Sequence, residues 1–417
     1  MRESINKSNR SFPFKWELVF LLWVAYFLNQ GDRQIFNVVI PLIKEDLQIN
    51  DVQIGWIASI FTLVYGLLVP VAGVLSDKLD KVKILLLSLA VFSIGTLLTG
   101  IGQGVIALII YRSIATGGGE AFYYPAANSL IAKYHDSTRA TAMAIHQTSL
   151  YAGVILSGFI AGYLGEHYGW RVAFYVFGAF GILWAIVIFL RMRNKPADSV
   201  ELSVQQEMND SAVLDTFKRI ASTKTAIMLS IAFGFMCFVN IGYLTWIPTY
   251  LHEKYSLTLA SSGLNSTLYH FLGAFFGVLL GAKIADRFAQ YRKTIRLEIQ
   301  VSGLLIGAPF IFLIGQSDSL LWTYVYMFVF GFFRGVYDSN LFAALFDVIE
   351  SKYRAAATGF MLSFGFVVGA FAPVLLGHIR MTIDMAYGIT LLSICYLIGA
   401  LMIFLGLKLF FKKENIS

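Results

Sequence analysis

The chain has 417 residues, 57% of them hydrophobic and only 14% charged, at a mean hydropathy of +0.69. The apolar runs are too long for the core of a soluble domain, so an integral membrane protein is implied. The net charge of +7 is carried by basic residues gathered between the apolar runs, which reports topology and contact with the lipid bilayer and excludes a nucleic-acid partner.

Arg2, Lys7, Arg10 and Lys15 precede the first apolar run. No short apolar region with a cleavage site follows them, so that run stays as an anchor. Segments of about 20 apolar residues, enough to cross a bilayer core as helix, fall near 17–41, 54–75, 84–102, 104–133, 140–165 and 172–190. Six more fall near 226–250, 264–285, 295–315, 320–346, 355–379 and 386–411. Alternating barrel strands are absent, and helices satisfy their own backbone groups in lipid. The longest polar break, 191–222 with Pro196, reads as a linker between an N-terminal bundle over 1–190 and a C-terminal bundle over 223–417. Its end, Ser211 to Ser222, places Val213, Phe217 and Ile220 on one face and suggests a short interfacial helix. The expected fold is an all-α membrane protein of twelve transmembrane helices in two six-helix bundles. With both termini cytoplasmic, Lys44, Arg171, Lys254 and Arg380 are the basic residues that fall outside. A multi-pass protein of the cell membrane, acting as a monomer, is expected. Cys237 and Cys395 lie in apolar runs without metal-ligand or redox spacing, and neither a metal nor a cofactor is expected.

Two stretches repeat across the chain. Gly73-Val-Leu-Ser-Asp77-Lys78-Leu-Asp80-Lys81-Val-Lys83 and Gly281-Ala282-Lys-Ile-Ala-Asp286-Arg287 each close an apolar run, and Asp77 and Asp286 stand 209 positions apart, half the chain. Ser137-Thr-Arg139 and Lys352-Tyr-Arg354 each open a later run, with the arginines 215 positions apart. Such an internal repeat marks a duplicated membrane protein whose halves insert with one orientation. An Asp at a helix end that pairs with a base locks neighbouring helices; Asp77 and Asp286 fit that role, with Arg139 and Arg354 as natural partners.

The Gly-x-x-x-Asp-Lys loop, the twelve runs and the central linker resemble the major facilitator superfamily. That resemblance implies a cytoplasmic gate, closed in the outward-facing state, formed by Asp77, Lys78 and Lys81 and by a second copy at Asp286 and Arg287.

Ionisable residues at bilayer depth are costly and mark substrate or ion pathways. Asp32 and Arg33 lie in the first run, Arg112 and Glu120 in the fourth, and Arg334 and Asp338 in the tenth. Three acids balance three bases. An anion that takes an Arg from its carboxylate leaves that carboxylate desolvated, and protonation becomes favourable; Arg suits an anion because its planar fork meets a carboxylate with two hydrogen bonds. Asp32 and Glu120 are the proton-carrier candidates, and Arg33, Arg112, Arg334 and Asp338 the charged substrate-binding ones. Arg112 and Glu120 are eight apart, about 80° out of phase on an ideal helix. Gly117 to Gly119 could permit a bulge that realigns them, or could serve close helix packing. Asn29, Gln30, Tyr65, Tyr124, Asn128, His146, Gln147 and Trp246 complete an amphipathic wall of the kind that sugars and sugar acids call for.

Arg112, Glu120-Ala-Phe-Tyr-Tyr-Pro125, Asn128, Asp32-Arg33 and Trp246-Ile-Pro248-Thr-Tyr250 resemble the anion:cation symporter branch, which includes hexuronate, galactonate and sialic acid carriers. The resemblance implies protonation at Asp32 and Glu120 and substrate sensing by Arg33 and Arg112. Asp32-Arg33, Pro41, Gly118 to Ala121 and Gly169-Trp170-Arg171 are also similar to spinster-type lipid transporters, which leaves open a lysolipid or neutral-sugar carrier. No phosphate-binding loop or enzyme motif is present. The expectation is therefore a secondary transporter, not an enzyme, driven by an ion gradient, with a proton favoured over sodium and a small organic anion as cargo.

Overall fold

The computed structural model describes residues 14–135, 137–193 and 220–416. The linker from 194 to 219, with most of the expected interfacial helix, and the N-terminal basic residues up to Arg10 lie outside them. Among the described residues run twelve membrane-length helices, designated α1 to α12. The first six are α1 (Phe14–Leu47), α2 (Asp51–Lys78), α3 (Lys81–Thr99), α4 (Val105–Tyr134), α5 (Arg139–Tyr168) and α6 (Trp170–Met192). The second six are α7 (Lys224–Tyr255), α8 (Leu259–Ala289), α9 (Ile295–Gln316), α10 (Leu320–Phe346), α11 (Ser351–Thr382) and α12 (Met385–Glu414). Eleven are long and apolar enough to cross a membrane. The exception is α1, whose centre reads Asn29-Gln30-Gly31-Asp32-Arg33-Gln34.

Helix ends follow local chemistry. Asn50 and Gln53 form a reciprocal capping box at the start of α2, each side chain accepting the other's backbone N–H at 2.9 Å. Asp80 caps α3 by accepting from the N–H groups of Val82 and Lys83, and such a cap contributes about 1 kcal/mol. Gly169, at φ +88°, makes the sharp break between α5 and α6 that a residue with Cβ would resist.

Burial sorts the helices. α1 and α7 are the innermost, with buried residues from Leu18 to Ile43 and from Thr225 to Leu251. α6 is apolar on all sides and leaves Phe180, Leu183, Ile186 and Phe189 exposed, as lipid-facing residues are. The ends of the molecule also differ. At the end remote from the chain termini the halves touch: the Gly158 and Gly263 backbones meet, Gly162 packs on Leu259, and Gly55 lies against Pro373 and Val374. At the terminal end, Gly73 of α2 and Gly359 of α11 have nothing within 4 Å of where a Cβ would stand. The halves are closed at the far end and diverge towards the near end.

Candidate functional site

Four of the six intramembrane charges converge in the first half. Arg33 of α1 donates from Nε to Glu120 Oε2 of α4 at 2.6 Å, and the Glu120 side chain has no exposed surface. Asp32 accepts from the Thr96 hydroxyl of α3 at 2.8 Å. Arg112 is buried, and its guanidinium lies 4.0 Å from the centre of the Phe61 ring, the same ring that Arg33 approaches at 5.5 Å. Arg33 also lies 4.1 Å over Tyr65, which makes an edge contact with Phe366 of the second half. Of the quartet Arg33 is the one with substantial exposure, 26% of its side chain.

The eight-residue offset between Arg112 and Glu120 is absorbed upstream of the glycines. Residues Ile109–Thr116 are π-helical, a widening that shifts the phase around Arg112. Gly117 and Gly119 are α-helical and serve packing: one sits against Phe61, the other against the Phe92 backbone, with Ser88 donating to the Gly119 carbonyl at 2.7 Å.

Several donors have no hydrogen-bond partner among the described residues: Arg33 Nη2 and Arg112 Nε and Nη1 in the quartet, and Asn29 Nδ2 and Gln34 Nε2 on the same helix as Arg33. Glu120 Oε1 is the one acceptor beside them in this state. A buried site with surplus donors and two guanidiniums suits an anion with several oxygens.

Next to the quartet stands an aromatic group. His146 stacks on Tyr26 at 4.8 Å, Tyr124 is exposed and reaches Gln147 at 3.4 Å, and Gln30 donates to Asn29 at 2.8 Å. The Tyr123 hydroxyl donates to the Leu22 carbonyl at 2.5 Å and has one proton to give, so His146 Nε2, 3.2 Å away, donates to it. Asn128 lies about two turns beyond Glu120 along α4, partly exposed.

In the second half, Arg334 donates from Nη1 to His270 Nε2 at 2.8 Å and lies 3.4 Å from Asp338. Trp246 sits apart from both groups. It is fully buried in the core of the second half, its indole N–H on the Pro373 carbonyl at 3.0 Å, so this conformation offers it no ligand contact.

Arg354, expected in the gate, donates to the carbonyls of Ile349 and Phe346, and Arg139 donates to that of Ala132. Asp286 and Arg287 are exposed, Lys81 opens α3, and the side chains of Asp77 and Lys78 lie outside the described residues.

Sequence reasoning missed the far-end lock. Asp51 at the start of α2 takes Lys44 of α1 and, at 3.0 Å, Arg380 of α11; Arg380 in turn donates to Glu253 of α7 at 2.6 Å. The signal available was that Lys44 and Arg380 are two of the four basic residues on the sparsely charged side. Phe61 was missed as well, since an aromatic in an apolar run carries no mark of what lies on its face.

Comparison with known proteins agrees with this architecture. The pattern of the Major Facilitator Superfamily matches residues 22–373. The hexuronate transporter of Bacillus subtilis is 24% identical over 377 residues, covering 88% of each chain. A probable galactarate/D-glucarate transporter of Bacillus subtilis is 23% identical, covering 90% of this chain and 88% of its own. The cis,cis-muconate transport protein of Acinetobacter baylyi is 25% identical over 95% of both. Among solved structures, a bacterial homolog of the human lysosomal transporter Spinster, inward-facing and unoccupied, superposes with a TM-score of 0.81 at 20% identity over 98% of this chain and 99% of that one. The chain is a multi-pass membrane transporter that belongs to the Major Facilitator Superfamily.

Proposed function

We propose that this transporter moves a small organic anion of sugar-acid type together with protons, by alternating access between the six-helix bundles 1–190 and 223–417. The observation that carries the reading is the buried pair of Arg33 and Glu120 at 2.6 Å, flanked by Arg112 and Asp32, with guanidinium donors left over. An anion entering this site competes for the Arg33 fork. Once Arg33 turns to the substrate, Glu120 is a charge in a low-dielectric interior with its partner gone, and a proton is the least costly replacement. Asp32, bonded to Thr96, is the second carboxylate within the same group. The names of the relatives, hexuronate, galactarate/D-glucarate and muconate carriers, all describe organic anions.

The distribution of Lys and Arg supports cytoplasmic termini in the cell membrane, and the open near end is then inward-facing. In the outward-facing state Asp77, Lys78 and Lys81 close that end against the second half, with Arg139, Asp286, Arg287 and Arg354 as the further gate residues. The transporter acts as a monomer.

The test is uptake into proteoliposomes under an imposed pH gradient. Wild-type protein should accumulate D-glucuronate or D-gluconate with the interior alkaline, whereas Asp32→Asn and Glu120→Gln should lose accumulation and keep counterflow exchange. Uptake that ignores both the gradient and the substitutions, or that follows a sodium gradient instead, would reject proton coupling.

A further inference from the structure

The second half holds a buried charge that transport of a monoanion at Arg33 leaves unused. Arg334 has 13% of its side chain exposed, and its nearest polar neighbour is not a carboxylate but His270. A guanidinium only donates, so His270 Nε2 accepts and its proton sits on Nδ1, which has no partner among the described residues. Arg334 Nε is likewise without a hydrogen bond, with Asp338 at 3.4 Å as counter-ion. This is a cation with an unfilled fork beside a fully buried imidazole donor.

Its position matters as much as its bonding. The Arg334 guanidinium lies 6.0 Å from the ring of Phe271, and that ring meets Tyr151 of the first half at 5.8 Å. Arg33 stands in the mirrored situation, over Tyr65, which meets Phe366 of the second half. Each arginine is one aromatic ring away from the opposite bundle. The two cationic sites face the same seam.

We propose that the transported anion carries two anionic groups at opposite ends, one taken by Arg33 and Arg112 of the first half and the other by Arg334 with His270 of the second. The proposal rests on the anion-transport reading above and narrows its substrate class to dicarboxylates and similar dianions. A monoanion at Arg33 leaves the Arg334 and Asp338 pair as it was, and nothing electrostatic then draws the diverged near ends together. A dianion engages both bundles at once, so its binding energy is available to the closing movement. At the second end it competes with Asp338 for Arg334, as the first end competes with Glu120 for Arg33. A neutral sugar gives Arg334 no such exchange.

The experiment uses the purified full-length protein and two matched ligand pairs, D-glucarate against D-gluconate and cis,cis-muconate against sorbate, in thermal-shift titrations and in proteoliposome uptake. In at least one pair the dianion should half-saturate about tenfold below its monoanion, the worth of one additional charge-assisted contact. Arg334→Gln should collapse that ratio towards one, and Arg334→Lys, which keeps the charge without the fork, should retain part of it. Equal or better binding of the monoanion in both pairs overturns the proposal in wild-type protein alone, whether or not the variants fold. So does an Arg334→Gln variant that weakens dianion and monoanion in the same proportion. If no member of either pair shifts the melting point or enters the vesicles, the anion-transport reading itself fails, which is a different outcome from monoanion transport without dianion preference.

Discussion

Both halves of the molecule contain an arginine beside a carboxylate, and the two pairs are built differently. In the first half Arg33 and Glu120 belong to different helices, meet at 2.6 Å and include a carboxylate with no exposed surface. In the second half Arg334 and Asp338 are one turn apart on α10, stand at 3.4 Å, and leave 27% of the Asp338 side chain exposed. A short pair between helices ties α1 to α4; a pair within one helix ties no helices together. An arginine and a carboxylate thus form a lock between two helices in one half, and a cation with a loose counter-ion in the other.

The comparison is open to direct attack through stability. Arg33→Gln leaves Glu120 buried beside a single remaining guanidinium and should cost about 3 kcal/mol, the scale for removing one partner of a buried pair. Adding Glu120→Gln should restore most of that loss, because the remaining Asp32 and Arg112 still balance. Arg334→Gln should cost about 1 kcal/mol, since the Asp338 it abandons is within reach of water. Thermal unfolding in one detergent decides this, and equal losses for Arg33→Gln and Arg334→Gln would erase the distinction.

A third arginine sharpens it. Arg380 pairs across the halves, with Asp51 on one side and Glu253 on the other, and is 12% exposed. Arg380→Gln should leave each bundle folded and weaken the far-end closure by about 1–2 kcal/mol, roughly 5–30-fold in the population of far-end-open molecules. Spin labels at the exposed positions Trp56 and Phe371 should report a longer distance in that variant. An unchanged distance distribution would mean that the packing of Gly158 on Gly263 holds the far end by itself.

Most of the fold was legible because its signals are long. Twelve apolar runs and a repeat near half the chain length do not depend on any one contact, and the observed helices extend the expected runs by a few residues at most ends, where caps such as Asn50 and Asp384 set the boundary. The charged residues of the site were legible for a similar reason: lipid makes every buried ion conspicuous. What the sequence did not carry was which residue meets which. The widening that brings Arg112 round lies in Ile109–Thr116, a run with no glycine or proline to mark it. Trp246 reads as a wall residue by type, yet its indole is committed to Pro373, a residue 127 positions away. Pairings of that kind are set by tertiary geometry, to which local pattern is blind.

The smallest expected effect tests the aromatic surroundings of the two arginines. Phe61 lies under both Arg112, at 4.0 Å, and Arg33, at 5.5 Å, whereas Phe271 stands 6.0 Å from Arg334, at the edge of useful range. Leu at either position keeps most of the apolar volume and removes the ring face. Phe61→Leu should therefore lower stability by about 1 kcal/mol, and Phe271→Leu by about 0.5 kcal/mol or less. Phe61→Tyr keeps the face and should behave as wild type if its hydroxyl is accommodated. If Phe271→Leu proves as costly as Phe61→Leu, the ring beside Arg334 is holding the cation in place, and the second-half arginine is then as firmly built as the first despite its longer ion pair.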